Sequence, residues 1–219
     1  MEGDGENAHW FLEELEHFAA TLAGAWCMQQ AVPAIYRSQS LPMERLTTAA
    51  EWDPVALHEQ LKHVERAVWQ IPPAPNQMLG LDYCTSWSGP LDCYLDLLMQ
   101  QQIVAVLTTN QPRYHAADLE RVLQETAWSR DAAWQSERRA RRYWLLKALE
   151  ERVGDEVDGT VVERMGAACL VLLDAYPLKV FVPPQREAWA TPGDRIRLSV
   201  AQVSARRDLI RVERPLRVH

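Results

Sequence analysis

The sequence predicts an α+β protein, helical over its larger first part and all-β in a small region at its end. Three observations predict it. Apolar residues recur at three- and four-residue spacing to about residue 150, the period of one helix face. Beyond that point the pattern becomes alternating, in short runs separated by turn residues: VGDEVDGTVVERMG, ACLVLLDAYPLKVFVPP, GDRIRLSVAQVS and RDLIRVE. Gly154 stands at the change, where a helix is readily stopped. With 219 residues, 47% of them hydrophobic, the chain has enough apolar material for a sizeable core in one or two domains. The change of period places the boundary at residues 151–154, giving domains 1–152 and 153–219.

The elements follow in order. A helix is expected over residues 8–30, broken by Pro33 and followed by an extended piece at 34–38. Asp53 and Pro54 read as the N-cap and first residue of a second helix, which runs through Leu57, Leu61, Val64 and Val68 to Trp69. Pro72, Pro73 and Pro75 end it. Pro90 suits the first position of a third helix whose apolar face is Leu91, Tyr94, Leu95, Leu98 and Ile103. Thr85, Ser86 and Ser88 precede that start, so hydroxyls and backbone N–H groups gather where a helix favours an anion such as phosphate. After Pro112 the spacing of Leu119, Val122, Leu123, Ala127, Ala133, Tyr143, Leu146 and Leu149 fits two helices or one bent helix.

Charge and cysteine usage narrow the function classes. A formal net charge of -7 and a pI near 5.4 lack the overall basic footprint of a strong nucleic-acid binder. Basic residues are nevertheless clustered at 138–142 and 206–217, and local patches outweigh net charge. Cys27, Cys84, Cys93 and Cys169 form no CxxC pair, which argues against a zinc site or a secreted disulfide framework and fits a reducing cytoplasm. No apolar run is long enough to span a bilayer, and the acidic opening MEGDGENA does not read as a signal peptide, so a cytoplasmic protein without membrane contact is expected. Most of the nine tryptophans, Trp52 and Trp189 among them, are expected in the core, with base stacking as the alternative use. Asp92 and Asp96, four apart on a helix, could share a metal, but no further ligand is near them in sequence, and no Ser, His and Asp set forms a nucleophile turn.

Residues 80–103, GLDYCTSWSGPLDCYLDLLMQQQI, resemble the RNase II (RNB) family of exoribonucleases, whose segment reads roughly GLxxYxxxTSPIRRYxDLxxHRQL. Gly80, Leu81, Pro90, Tyr94, Asp96, Leu97 and Gln102 fall in register without a gap, and Tyr83 stands one position before the segment's tyrosine. FLEELEHFAA at 11–20 and VPAIYR at 32–37 resemble the family's LVEExMxLAN helix and its IPALYR continuation, in the same order. Residues 153–214 resemble the small RNA-binding barrel that ends these enzymes, a five-stranded antiparallel OB fold.

The resemblance implies a 3′-to-5′ exoribonuclease, a phosphodiester hydrolase, of which this chain is the C-terminal half. In the family, aspartates near the start of the RNB domain hold magnesium for in-line hydrolysis. They lie before the matching region, so the chain begins within the domain, carries no cofactor site of its own, and has no catalytic residue to assign. SPIRRY falls on Gly89, Pro90, Leu91, Asp92, Cys93 and Tyr94, so both arginines are absent and one position is a carboxylate. One lost charge contact of this kind costs on the order of 3 kcal/mol in a transition state. The chain alone is therefore expected to be inactive.

What the resemblance leaves in place is RNA holding. Tyr83, Trp87 and Ser88 fall in the segment that lines the RNA path, SER at 136–138 places Glu137 and Arg138 at the family's AER segment, and Phe181 in the barrel is positioned to stack on a base. Glu137 reads equally well as a helix-surface carboxylate among arginines, and Phe181 equally well as an inward strand residue. The expected partners are single-stranded RNA, held weakly, and a separate chain carrying the first half of the RNB domain, without which the helices would expose apolar surface. The alternative is a non-catalytic protein-interaction module derived from the same family, favoured by the acidic charge and the lost arginines.

Overall fold

The computed structural model describes residues 3–42, 53–184 and 190–217. Trp52 and Trp189 lie outside the described residues. The elements run α1 (Gly3–Gln29), β1 (Tyr36–Ser38), α2 (Pro54–His63), β2 (Val68–Gln70), α3 (Tyr94–Thr109), α4 (Ala116–Glu150), β3 (Glu156–Met165), β4 (Ala168–Leu173), β5 (Lys179–Val182), β6 (Arg195–Ser204) and β7 (Leu209–Arg217). They form two compact units, Met1–Met43 with Val64–Trp128, and Glu44–His63 with Ser129–His219. The 35-residue helix α4 is continuous and contributes its first part to one unit and the remainder to the other.

In the first unit Cys27, Ile35, Tyr36, Leu95, Leu98, Met99, Ile103 and Leu119 make a buried core. Gln102, fully buried, ties the chain around it. Its amide NH2 donates to the carbonyls of Pro33 at 2.9 Å and Tyr114 at 2.8 Å, and its carbonyl accepts the Tyr114 N–H at 2.8 Å. A buried amide with its polar atoms matched in this way holds two loops in place. Helix α3 ends at Asn110, which turns left-handed at φ 57° and returns its N–H to the Val106 carbonyl.

Two helix boundaries differ from the sequence reading. Asp53 caps α2 as expected, accepting the Val55 N–H at 2.9 Å, but the helix stops at His63. Val68, Trp69 and Gln70 instead pair antiparallel with Ser38, Arg37 and Tyr36. A β-branched and an aromatic residue beside an open strand take the tertiary pairing over a continued helical period. Helix α3 begins at Tyr94, not at Pro90. Pro90, Leu91 and Asp92 form a turn closed by the Cys93 N–H on the Gly89 carbonyl at 2.8 Å. Leu91 is consequently 97% exposed and Tyr94 54%, so neither belongs to the apolar face, which is Leu95, Leu98, Met99 and Ile103.

The second unit is built on a five-stranded antiparallel sheet of order β5-β4-β3-β6-β7. Strands β5 and β7 also approach one another, so the sheet nearly closes into a barrel with the strand order of an OB fold. Its interior is Val161, Val171, Val180, Ile196, Leu198, Val200 and Val212, completed by Leu146 and Leu149 of α4. Gly159 is required here: an added Cβ would lie 2.6 Å from the Leu172 carbonyl oxygen and 2.8 Å from Val171 Cγ1.

The tryptophans depart from expectation. Trp10, Trp128, Trp134 and Trp144 are exposed, while Trp26, Trp69 and Trp87 are half-buried against the first core. Helix α1 has apolar residues on more than one side: Ala23, Trp26 and Cys27 reach the core, and Phe11, Leu15, Phe18 and Leu22, at four-three-four spacing, remain exposed. No helix among the described residues is long and apolar enough to cross a membrane.

Candidate nucleic-acid interface

Strand register sets out the surface of the second unit. Because Lys179 faces Leu172, Leu172 faces Thr160, and Thr160 faces Arg195, these four residues form one outward row across β5, β4, β3 and β6. The adjacent row, Val180, Val171 and Val161, points into the core. The outward row floors an open cleft of about 1590 Å³, walled by α2 and by the Trp134, Arg138, Arg141 and Leu145 side of α4. Arg138, Arg139, Arg141, Arg142, Lys179 and Arg195 line it, against Glu137 and Asp174 as the acidic lining. A chain of net charge -7 thus carries a cationic cleft, whose walls focus the field on an anion inside it.

Some of these cations are already partnered. Arg141 meets Glu137 at 3.1 Å, Arg142 meets Asp208, and Arg195 meets Asp174. Arg138 lies 4.6 Å over the Trp134 ring and, like Arg139, has no ion pair among the described residues. Glu137 is therefore an exposed helix carboxylate paired with an arginine one turn on. Tyr176 packs half-buried on the barrel core at the cleft wall. Phe181, 51% exposed, points outward from β5, which settles its strand face.

The other sequence candidates lie in the first unit. Tyr83 is half-buried, its ring 6.4 Å from Tyr36, and Trp87 is half-buried while its carbonyl accepts the Gln100 amide at 2.9 Å. Ser88 is exposed. Thr85 and Ser86 are not open to a ligand. The Thr85 hydroxyl donates to the Ile35 carbonyl at 2.5 Å, and the Ser86 hydroxyl to Asp96. Asp96 also accepts the Gly89 N–H at 2.8 Å. The niche that the sequence offered to a phosphate is filled by the protein's own carboxylate, in the first turn of α3, where negative charge is favoured.

Both Asp96 oxygens accept protein donors, and among the described residues no group of three or more His, Cys, Asp or Glu is placed to hold a metal ion. Burial pushes the Cys27 thiol up to about 12 and raises Cys84, Cys93 and Cys169, so these sulfurs stay protonated and inert. Lys179 and Arg195 were not among the sequence candidates, and Trp134 was weighed only with the other tryptophans, as core or as a base-stacking surface. Strand alternation carries the signal for the first two, since an outward Leu172 requires outward partners.

Comparison with known proteins was made on this geometry. No protein-family model matches the sequence. A ribonuclease of Synechocystis sp., itself uncharacterized, is 26% identical over 204 residues, covering 90% of this chain and 30% of that protein. Among solved structures, the apo form of Mycoplasma genitalium RNase R matches with a TM-score of 0.67 at 11% identity over 94% of this chain and 41% of that one. The Candida glabrata Dss1 exoribonuclease matches with a TM-score of 0.74 at 16% identity, over 92% of this chain and 28% of that one. The fold is that of RNB exoribonucleases. The resemblance therefore holds at the level of the fold, over most of this chain. This chain spans less than half the length of each of these relatives. Mycoplasma RNase R also matches as its complex with ribose-methylated single-stranded RNA, with a TM-score of 0.69.

Ion pairs around the barrel give a pH prediction. Lys62 and His58 hold Glu163 below the ordinary carboxylate range, the two-pronged Arg197 contact at 2.7 and 3.1 Å does so for Asp158, and Lys147 does so for Glu150. A carboxylate whose folded pKa is depressed adds stability above its unfolded pKa, and that stability is lost as pH falls through the folded value. The urea midpoint of the second unit, followed by circular dichroism, should hold from about pH 7 to 5 and drop below about pH 4. An unchanged midpoint at about pH 3 would contradict the depressed values.

Proposed function

We propose that this chain is the RNA-holding C-terminal portion of an RNase II-like 3′-to-5′ exoribonuclease, which does not hydrolyse RNA alone. The observation that carries this reading is the arginine-lined cleft on an OB-fold barrel, in a chain whose net charge is otherwise acidic. Phosphates would sit among Arg138, Arg139, Lys179 and Arg195, with Trp134, Tyr176 and Phe181 offering ring surfaces for bases, the combination by which single strands are held without sequence preference. The relatives found are ribonucleases, and one solved neighbour is a complex with single-stranded RNA, which supports the same reading.

Hydrolysis in this family needs magnesium held by aspartates, and no described group here is disposed to hold it. Asp92 and Cys93 stand where the family has its arginines. The remaining machinery would come from residues corresponding to the rest of the relatives' length, supplied by a partner chain. The exposed apolar side of α1 favours such a partner, and equally favours the second reading, a protein-interaction module. Next to Leu22 and Trp26 it opens into a groove of about 560 Å³, lined also by Trp87, Ile103 and Leu107.

Salt dependence separates the two readings. Binding of a labelled single-stranded RNA, measured by fluorescence anisotropy, should weaken about 10-fold or more between 50 and 200 mM salt, with a log–log slope of roughly -2 to -3 for three or four phosphates. A complex flat in salt, or no complex at 50 mM, would favour the protein-interaction module.

A further inference from the structure

The chain has three lysines, Lys62, Lys147 and Lys179, and they sit in different surroundings. Lys62 is clamped between Glu59 at 2.8 Å and Glu163 at 2.9 Å, and Lys147 bonds Glu150 at 2.6 Å. These contacts push both amines up and keep them as ammonium ions. Among the described residues, no carboxylate lies on the Lys179 nitrogen. It is half-buried on β5 and lines the cationic cleft, and its Nζ lies 2.6 Å from His58 Nδ1. Burial pushes its pKa down, and the nearby Lys62 charge adds to that, against the opposing pull of Glu163.

The imidazole between them is fixed. His58 is 7% exposed, and its Nε2 lies 2.9 Å from Glu163 Oε2. A carboxylate at Nε2 keeps the proton there, so the Nδ1 lone pair is turned on Lys179. Carboxylate, imidazole and amine thus stand in the order by which a base, oriented by a third group, activates a nucleophile. The facing groups are His58 and Lys62 from α2 and Glu163 from β3. Arg195 stands in the same outward row of the barrel and, with Arg138 and Arg139, draws anions to the cleft.

We propose that Lys179 is an acylation site whose donor is an acyl phosphate, and that its acylation lowers the cleft's hold on RNA. The dianionic donor is gathered by the arginines. Lys179 gives a proton to His58 Nδ1, and the freed amine pair forms a bond to the carbonyl carbon. The carbon–oxygen bond to phosphate breaks, phosphate leaves with that electron pair, and the second amine proton passes to solvent or phosphate. The products are an amide and inorganic phosphate, and the cleft has lost one positive charge. The effect on RNA rests on the function proposed above; the acylation itself does not.

The test is acetyl phosphate added to the full folded chain, with initial acetylation rates at the three lysines read by peptide mass spectrometry. Lys179 should lead Lys62 and Lys147 by about tenfold or more. His58→Gln should bring it to within about twofold of Lys147, and the neutral donor N-acetylimidazole should give Lys179 a smaller lead than acetyl phosphate does. Lys147 or Lys62 reacting as fast as Lys179 in the unmutated chain would overturn the proposal, whether or not the His58 variant folds. RNA affinity is read separately: Lys179→Gln should bind about 3- to 10-fold more weakly, and the chain acetylated at Lys179 should lose affinity by a similar factor. Should the unmodified chain bind no RNA, the proposed function fails while the order of labelling still decides the acylation site.

Discussion

A chain carrying Arg138→Glu and Arg139→Glu should bind single-stranded RNA on the order of 100-fold more weakly at 100 mM salt, with a log–log salt slope shallower by roughly 2. Both arginines line the cleft without an ion pair among the described residues, so their full charge is available to phosphate. Reversal removes two attractions and adds two repulsions in the same place. Arg138→Glu also loses the stacking of the guanidinium on Trp134. Arg121→Glu is the matched control, because Arg121 lies in the first unit, paired with Asp118 at 3.3 Å. It should change affinity by less than about threefold. Equal losses in the two variants would mean that the whole surface, and not the cleft, meets the RNA. Circular dichroism should be unchanged in each, since the three side chains are exposed.

The second large effect is on stability. Asp96→Ala should destabilise the first unit by about 3 kcal/mol, or roughly 6–12 °C in Tm, because it leaves two donors without their acceptor. These are the Ser86 hydroxyl and the Gly89 N–H, both gathered on one buried carboxylate. Removing it also frees the turn at Pro90 from the start of α3. Asp96→Asn keeps one acceptor oxygen and should lose about half as much. A calorimetric scan of the three proteins decides it, and a drop below about 1 kcal/mol for alanine would show that water replaces the carboxylate without penalty.

Much of the fold was legible. Helix α1, strand β1, the Asp53 cap and the alternation of the barrel strands all follow from local residues, because period and capping are local properties. Asp96 was visible as a residue in register with the RNB segment, but its partners were not. That a carboxylate would turn back on Ser86 and Gly89 depends on where the turn at Pro90–Asp92 puts them. The end of α2 was illegible for a related reason, since Val68–Gln70 becomes a strand only because β1 is beside it. Tryptophan exposure was misjudged because hydrophobicity shows which residues prefer burial, not whether a covering surface exists. The site was half legible. Residues 138–142 announce a basic cluster, whereas Lys179 and Arg195 join it through cross-strand register across four strands, which no short window contains.

The most direct measurement is to give the purified chain alone a 3′-labelled single-stranded RNA, with magnesium to follow degradation and without it to follow binding. The account predicts salt-sensitive binding and no release of nucleotides. Stepwise shortening of the RNA by the chain alone would contradict it, because the described residues offer no place for the metal that such chemistry requires.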